Sequence, residues 1–532
     1  MLRLPLLAVA SLASYCAGAD LGPLRLPNAQ SINIWKLRAK NLQADAVLSA
    51  RDTSFPVSTF TQPLDHFHGT TNATFEQRYW ISTRHYKPGT GAPVIVLDGG
   101  ESSGANRLPF MDTGIVDILT KATGGLGVVL EHRYYGKSVG VQNFTTDNLR
   151  WLNNEQALED SANFMRNVIF SGIDEDLTAP NTPWIYYGGS YAGARSAHMK
   201  VLYPDIVFGA IASSGVTHAA LSNWEYMDVI RTYADPICSA NLVRSIEVVD
   251  DALRSPNLHD QIKALFNLSG LTSDQDFVSL LQTPLEYWQN KNWDPDNDDT
   301  TFDDFCTALN GNMTKPSDVQ RNVHLPGGLI VNAALPNYAQ YIIENYIAWC
   351  DGTLDECFGT SDDSHYQVYD LSETWRLWMF QTCTQWGYYT TSTPSPQIPT
   401  IVSRLLDVDY LHKGCFQAYP PGQYFSIPPL PNVTSVNVLG DFAISANRLA
   451  IIDGEKDPWR PDTPHSQYSA KRRPDTVTRP FKLIPGGVHH WDEFGLANSS
   501  AEPPEIQAIH QQEVAFVQAW LKDFKKPGAN AN

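Results

Sequence analysis

Ser190 lies in a glycine-rich turn whose residue types suit nucleophilic chemistry. The sequence GGSYAG occupies residues 188–193, after the apolar run WIYY at 184–187 and before a helix-like stretch at 194–202. A strand, a glycine-flanked serine and a helix are typical of a nucleophile elbow, in which a strained turn holds the hydroxyl clear of the backbone. Ala192 stands where the strict pattern has its second glycine, and it is small enough to fit. Because such turns are often plain structure, the serine alone does not establish catalysis.

Acidic and imidazole side chains follow two later apolar runs. The run at 449–452 precedes DGEKDPW, and the run at 481–484 precedes PGGVHHWD. A serine hydroxyl reacts only when a base removes its proton and a third group orients that base. An α/β-hydrolase sheet supplies these partners in the order Ser, Asp, His, on loops after later strands. Two pairs of neighbours remain open: Asp453 and Asp457 as the acid, His489 and His490 as the base.

Strand and helix patterns alternate up to about residue 215. Short β-branched runs at 93–97 and 127–130 suit buried parallel strands, and a helical spacing covers 155–170. The elbow follows, and then a further apolar run at 208–212. This βαβ order predicts a doubly wound, mostly parallel α/β sheet of the α/β-hydrolase type.

The chain changes character after about residue 216. The later cysteines, an acidic stretch at 292–304 and helix-like segments such as 338–349 predict a large, mainly helical inserted cap domain. An amphipathic helix at 504–524 closes the predicted fold. The predicted organisation is a signal peptide at 1–19, a first hydrolase part at 20–215, the disulfide-braced cap at 216–430, a second hydrolase part at 431–526 and a disordered tail at 527–532.

The N-terminal residues predict export. Arg3, a mostly apolar stretch at 4–16 and the small residues AGA at 17–19 match a signal peptide with its cleavage site. No stretch reaches the roughly 20 apolar residues of a membrane-spanning helix. The net charge of −19 disfavours binding to nucleic acid. We therefore expect a secreted protein without a membrane or nucleic-acid partner, and a lysosome- or vacuole-like compartment is the alternative.

Six cysteines remain once Cys16 leaves with the signal peptide, and an even number in an exported chain suggests three disulfides. Sequence neighbours favour the pairs Cys238–Cys306, Cys350–Cys357 and Cys383–Cys415, although other pairings are possible. No CxxC pair occurs, which disfavours a zinc site, so no metal is predicted. Six N-x-S/T sequons predict glycosylation, at Asn72, Asn143, Asn267, Asn312, Asn432 and Asn498.

Several longer stretches carry a family resemblance. The chain resembles the prolyl carboxypeptidase and dipeptidyl peptidase II family of secreted and lysosomal serine peptidases, which includes fungal acid prolyl endopeptidases. The resemblance rests on QPLDHF at 62–67, FEQRY at 75–79, GGE at 99–101, EHRYYGKS at 131–138, the elbow, DPW at 457–459 and GVHH at 487–490. In the predicted cap it is carried mainly by QTCT at 381–384.

The resemblance implies roles for the candidate residues. Ser190 is then the nucleophile, Asp457 the orienting acid and His489 the general base, with no cofactor. The oxyanion hole is expected to use the backbone N–H of Tyr191 and a second donor near Gly99 and Gly100, with Gly100 favoured, or near Tyr134 and Tyr135.

The resemblance also implies cleavage at proline, whose rigid apolar ring an aromatic pocket binds with little loss of entropy. Glu101 is a candidate for recognising a substrate amino terminus or shaping the cleft, and a salt bridge to Arg107 or Arg133 is an equal alternative. Gln385 stands where relatives often carry glutamate, which leaves the end-group preference open. The expected pocket residues are Trp459 beside the acid and Trp378, Met379 and Trp386 around Cys383.

These patterns predict a secreted serine peptidase, monomeric or homodimeric, that cleaves proline-containing peptides on the carboxyl side of proline, at acidic pH and through an acyl-enzyme. The sequence leaves open endopeptidase, carboxypeptidase and aminopeptidase modes. An esterase or lipase of the same fold is the nearest alternative. A catalytically inactive binding protein is another, although such proteins commonly lose the serine or the histidine.

Overall fold

A computed structural model describes residues 30–37, 55–469 and 473–526. The predicted signal peptide at 1–19 and the predicted tail at 527–532 lie outside the described residues.

The central element is an eight-stranded sheet in the order β1-β2-β4-β3-β5-β6-β11-β12. Only β2 runs against the other seven strands, because it pairs antiparallel with both β1 and β4. The twelve described strands are β1 (Val57–Pro63), β2 (Thr74–Ser82), β3 (Val94–Asp98), β4 (Leu126–Leu130), β5 (Trp184–Gly189), β6 (Val207–Ser213), β7 (Ala220–Ser222), β8 (Asn322–His324), β9 (Ile330–Asn332), β10 (Gly387–Tyr389), β11 (Leu449–Gly454) and β12 (Phe481–Ile484). The predicted α/β-hydrolase fold is confirmed by this order and direction of strands.

Helices cover both faces of the sheet. The described α-helices are α1 (30–37), α2 (Leu108–Asp112), α3 (Ile115–Thr123), α4 (Thr146–Leu149), α5 (Asn154–Asn167), α6 (Tyr191–Leu202), α7 (Glu225–Tyr233), α8 (Pro236–Arg254), α9 (His259–Leu265), α10 (Asp274–Gln282), α11 (Thr301–Asn310), α12 (Pro316–Val319), α13 (Leu335–Asn345), α14 (Leu354–Phe358), α15 (Trp375–Gln381), α16 (Val408–Ala418), α17 (Val433–Asn437) and α18 (Pro504–Lys522).

Alternate residues of the central strands enter two separate hydrophobic cores. Val94 and Val96 of β3 pack with α5 and α6, whereas Ile95 and Leu97 pack with α3 and α18. All five residues of β3 are buried. A strand covered on both faces reads as a continuous apolar run, which is why the sequence pattern located β3.

The segment predicted as the cap, 216–430, lies between β6 and β11 in the chain, and it contains α7 to α16 with two small two-stranded sheets. Three disulfides join its cysteines in the pairs that sequence neighbours suggested: Cys238–Cys306, Cys350–Cys357 and Cys383–Cys415. The first connects α8 to α11, and the third connects the segment after α15 to α16. All three lie within the cap, so none connects it to the sheet.

Candidate active site

Ser190 occupies a strained turn at the end of β5. Its backbone has φ 60° and ψ −124°, a region that residues with a side chain rarely adopt. The Ser190 N–H donates to the carbonyl of Ser213 at 2.9 Å. A methyl group added at Gly188 would overlap the carbonyl of Ala192, and one added at Gly193 would lie 2.6 Å from the carbonyl oxygen of Ser213. The small residues of the motif are therefore required by close backbone approach.

His489 and Asp457 form a pair on the loops that follow β12 and β11. The Nδ1 atom of His489 lies 3.0 Å and 3.1 Å from the two carboxylate oxygens of Asp457. Asp457 is fully buried, and its Oδ1 also accepts the N–H of Trp459 at 2.9 Å. Because a carboxylate only accepts, the proton of the pair lies on Nδ1 of His489. The Nε2 atom is thereby left with the lone pair that a general base needs.

Asp453 and His490, which sequence spacing leaves open as the acid and the base, contact other side chains. Asp453 Oδ2 lies 2.6 Å from Nδ1 of His465, and burial raises the pKa of Asp453 to about 6 despite that contact. The Nδ1 atom of His490 lies 3.2 Å from Oε2 of Glu493. Burial opposes a charge on His490, but the Glu493 carboxylate outweighs it and raises the histidine pKa.

The expected oxyanion donors differ in their availability. Tyr191 is the first residue of α6, where backbone N–H groups have no partner within the helix. The Gly100 N–H instead donates to Oδ1 of Asp98 at 3.0 Å. Asp98 is held in place because its Oδ2 accepts the Tyr186 hydroxyl at 2.6 Å and lies 3.2 Å from Nη2 of Arg195. The prediction for Gly100 therefore disagrees with this geometry, since its N–H is already used.

The neighbouring backbone donors are also engaged. The N–H groups of Gly99, Tyr134 and Tyr135 donate to backbone carbonyls at 2.8, 2.8 and 3.2 Å respectively. None of these three offers a free second donor in this structure.

A buried side-chain network connects the elbow to the cap. The amide of Gln381, at the end of α15, donates to the hydroxyl of Tyr191 at 2.7 Å and accepts the hydroxyl of Tyr135 at 2.6 Å. The Tyr191 hydroxyl lies 3.0 Å from Nε2 of His132, whose Nδ1 lies 2.7 Å from a backbone carbonyl. In the sequence Gln381 stands out only as part of the QTCT stretch at 381–384, because nothing in its spacing marks a contact with the elbow.

The charged residues of the EHRYYG stretch are structural. Glu131 is fully buried and accepts Nε of Arg78 at 2.8 Å and the hydroxyl of Ser138 at 2.6 Å. Arg133 pairs with Asp160, with 2.5 Å between Nε and Oδ2. Arg133 is thus committed elsewhere and is not the ion-pair partner of Glu101.

Glu101 presents an unsatisfied carboxylate oxygen beside the catalytic candidates. Its Oε2 is buried, and no hydrogen-bond partner for it exists within 55–469 or the other described ranges. Burial raises the pKa of Glu101, and the charges of Arg107, His489 and His490 oppose that rise. Arg107 donates its Nε to the Gly99 carbonyl at 3.2 Å, and its charge acts on Glu101 without an ion-pair contact between the two side chains in the described residues. The alternative of a salt bridge is therefore not supported.

The expected pocket residues separate into two groups. Trp378 packs 5.3 Å from the ring of Tyr191, and both Trp378 and Trp459 keep 6% of their surface exposed. Met379 and Trp386 are 0% exposed. This complete burial argues against the predicted substrate contact for Met379 and Trp386, and the buried ring of Trp386 packs 5.2 Å from that of Tyr191.

The cap also forms one wall of a cleft beside the histidines. The cleft has a volume of about 940 Å³ and lies between residues 289–301 of the cap and the side chains of His489, His490 and Phe494. His489 is therefore accessible from a space large enough for several residues of a peptide.

Further predictions concern groups away from the pair. Gln385 accepts the Asn154 N–H at 2.9 Å and so caps the start of α5. Five sequon asparagines are exposed, whereas Asn143 is half-buried and its side-chain oxygen accepts the Asn148 amide at 2.8 Å.

In the described ranges no group of three His, Cys, Asp or Glu side chains is arranged to hold a metal. Nor does any described helix combine the length and apolarity needed to cross a bilayer.

Comparison with known proteins shows which proteins this chain is similar to. The sequence profile of the family described as "Serine carboxypeptidase S28" matches residues 62–513. A protein of Arthroderma benhamiae named "Probable extracellular serine carboxypeptidase" is 36% identical over 521 residues, which cover 92% of this chain and 71% of that protein. "Lysosomal Pro-X carboxypeptidase" of Bos taurus is 24% identical, with 87% of each chain covered. Among solved structures, proline iminopeptidase of Mycobacterium smegmatis aligns at 14% identity with a TM-score of 0.37, covering 87% of this chain and 99% of that one.

Proposed function

The chain belongs to the serine carboxypeptidase S28 family, and we propose that it is a secreted peptidase that cleaves on the carboxyl side of proline through an acyl-enzyme. The observation that carries the proposal is the strained Ser190 at the end of β5, together with the His489–Asp457 pair on the loops after β12 and β11. This is the chain order and strand placement that a hydrolase triad requires.

Each residue of the triad has one chemical task. The Oγ atom of Ser190 attacks the carbonyl carbon of the scissile bond while Nε2 of His489 takes the hydroxyl proton. Asp457 keeps the Nδ1 proton in place and stabilises the imidazolium that forms. The imidazolium then protonates the leaving amine, the C–N bond breaks and an ester to Ser190 remains. Water, deprotonated by His489, hydrolyses that ester and restores the serine.

The developing oxyanion requires hydrogen-bond donors. The Tyr191 N–H is our candidate because it begins α6, where the helix dipole also favours negative charge. The Gln381 and His132 contacts to the Tyr191 ring support it by fixing that residue.

Specificity for proline is the less direct part of the proposal. Trp378 and Trp459 are the two expected aromatic residues that retain exposed surface, and Trp378 packs directly on the residue after the nucleophile. A flat indole face binds the compact proline ring without ordering a flexible chain. The lysosomal Pro-X name of one relative agrees with this preference.

An acidic, extracellular setting is also proposed. The net charge of −19 and the extracellular name of one relative favour it. Acid protonates carboxylates and so reduces the self-repulsion of an acidic protein.

The proposal is tested first by labelling. A fluorophosphonate probe should modify the purified protein, and the label should map to Ser190 and be lost in Ser190→Ala. A protein that does not label, or that labels equally after Ser190→Ala, would contradict the proposed nucleophile.

Substrate preference is tested by mass spectrometry. A long proline-containing peptide, free or blocked at either end, is digested and its products are sequenced. Cuts after proline in every form indicate an endopeptidase, whereas cuts that require a free amino or carboxyl end indicate an exopeptidase. Cleavage that ignores proline would overturn the specificity, and hydrolysis of esters alone would favour the esterase alternative.

A further inference from the structure

A short cap segment is fastened to both loops that carry the candidate acid and base. We call residues 288–293, at and after the end of the 3-10 helix Thr283–Asn290, the strap. Four indole N–H groups cross between the strap and the two loops. They are Trp288 to the Lys456 carbonyl at 3.0 Å, Trp459 to Oε1 of Gln289 at 2.7 Å, Trp491 to the Lys291 carbonyl at 2.8 Å, and Trp293 to the carbonyl of Trp491 at 3.0 Å.

These contacts flank the pair in sequence. Lys456 and Trp459 lie on either side of Asp457, and Trp491 follows His489 by two residues. The strap therefore touches the Asp loop at two points and the His loop at two points. Since donors come from both sides, moving either loop away from the strap would leave indole N–H groups without a partner.

The polar partners of the indoles distinguish this arrangement from simple packing. An indole N–H can only donate a hydrogen bond. If packing alone mattered, a phenylalanine ring could be buried equally well in the same place. Here all four N–H groups find an acceptor across the same boundary, although two of the rings, Trp293 and Trp491, are only half-buried. Hydrogen bonds from one segment to both loops are the arrangement that would fix the distance between the loops.

We propose that the strap is a positioning element for catalysis, with Trp491 and Trp293 as positioning residues that hold His489 against Asp457. This inference rests on the proposed function, because it assigns the strap a task only if the pair is the base and acid of a triad. The cap then contributes to the chemical step as well as to the cleft wall.

The pH dependence of activity separates a positioning role from a purely structural one, because a strap that only stabilised the fold would leave the pH profile unchanged. Asp457 stabilises the imidazolium form of His489, so loosening the pair removes part of that stabilisation. The acid limb of the activity profile should then move to lower pH while the maximum rate falls.

The test compares Trp491→Phe and Trp293→Phe with the wild type and with Trp520→Phe. Each substitution keeps an aromatic ring and removes one indole N–H. Trp520 is the matched control because it donates to the Val477 carbonyl at 2.6 Å from α18, away from both loops. The measurements are the rate of fluorophosphonate labelling between pH 3 and pH 8, kcat and KM on the peptide cleaved by the wild type, and the melting temperature.

The strap variants should label about five- to tenfold more slowly than the wild type, with an acid limb shifted to lower pH, a reduced kcat and a nearly unchanged KM. Trp520→Phe should match the wild type in rate and limb. If both strap variants label like Trp520→Phe, with the same acid limb, the inference is overturned even if their melting temperatures fall. If Trp491→Phe does not fold, Trp293→Phe decides by the same criteria. A wild-type protein that does not label at all overturns the proposed function, and the strap's task with it.

Discussion

At the residue scale, Asp457 and Asp453 offer a natural comparison. Both are buried aspartates at the end of β11, and each contacts a different histidine. Only Asp457 contacts the histidine proposed as the base. The end of β11 and the loop after it thus contain a catalytic candidate and a matched control.

Asp457→Asn should lower kcat by about 10⁴, because an amide neither holds the Nδ1 proton reliably nor stabilises the imidazolium. Asp453→Asn should remain within about threefold of the wild type, since the partner of Asp453 is His465. Steady-state kinetics on the cleaved peptide measure both. Comparable losses in the two variants would contradict the assignment of Asp457 over Asp453.

Glu101→Gln should reveal whether the unsatisfied oxygen binds a substrate ammonium. We expect KM to rise about tenfold or more for peptides with a free amino end, the scale of a hydrogen bond to a charged group, and to stay unchanged for acetylated ones. Because the Glu101 pKa is raised, the preference of the wild type for free amino ends should strengthen as pH rises and the carboxyl ionises. Equal effects on free and acetylated peptides would instead indicate that Glu101 shapes the cleft.

At the element scale, α18 places a buried acid behind the histidine loop. Glu513 is 0% exposed, and neither of its carboxylate oxygens has a hydrogen-bond partner in the described part of the chain. Burial and the nearby Asp492 and Glu493 raise its pKa well above the ordinary value of 4.5. The protonated form of Glu513 is thus the one that the folded protein favours.

Glu513→Gln should therefore change stability in a pH-dependent way. Below pH 4.5 both the folded and unfolded states of the wild type hold the proton, so the variant should melt like the wild type. Above that pH Glu513 ionises in the unfolded chain before it does in the folded protein. The free energy of unfolding of the wild type therefore falls by up to about 1.4 kcal/mol per pH unit, a loss that the glutamine variant does not have. Melting temperatures from pH 4 to pH 7, with the half-exposed Glu505→Gln as control, measure this. A variant that loses stability equally at both ends would contradict it.

The burial and composition of each strand and helix explain which of them the sequence predicts. Strands β3, β4 and β5 were located to within a few residues because each is an uninterrupted buried run. The sequence pattern does not predict strands β1 and β2, and β1 in particular has exposed polar positions and little apolar content. Helix α13 begins at Leu335 and ends at Asn345, earlier than the predicted 338–349, since a separate 3-10 turn follows it.

The site was predictable to the same extent. Ser190 is proposed from its neighbours, and Asp457 and His489 from a family resemblance and their positions after strands; the structure adds the contact between Asp457 and His489. The indole bonds of the strap could not, because most of their acceptors are backbone carbonyls, which every residue has, up to 200 positions away. Burial of Met379 and Trp386 was equally invisible, since aromatic and apolar clusters read alike whether they line a core or a pocket.

At the scale of the whole molecule, several buried carboxyl groups share one tendency. Burial raises the pKa of Asp453, Asp462, Asp492 and Glu513 alike. Each of them costs stability as pH rises above the ordinary range for a carboxyl. Carboxyl groups whose pKa is lowered, such as the buried Asp160 and Glu493, act in the opposite direction and lose their contribution to stability as pH falls.

The disulfides should differ in their contribution to this stability. Cys238–Cys306 spans 68 residues and Cys350–Cys357 spans 7, so the first restricts the unfolded chain more. Replacing both cysteines by alanine should cost about 4 kcal/mol for the long pair and about 2 kcal/mol for the short one in the chain-entropy account. Denaturant unfolding of the two double variants measures this, and a larger loss for the short pair would contradict it.

The position of the cap in the chain has a consequence for biosynthesis. When β6 leaves the ribosome, its partner β11 has not been made, and the entire cap must be translated first, which takes some tens of seconds at about 5–20 residues per second. During that interval the nascent sheet ends at an unpaired edge that can recruit other strands. The acid and the base arrive only with the last strands, so the serine has no partners while the chain is still being synthesised. The order of elements thus brings Ser190 together with its candidate acid and base only when translation is nearly complete.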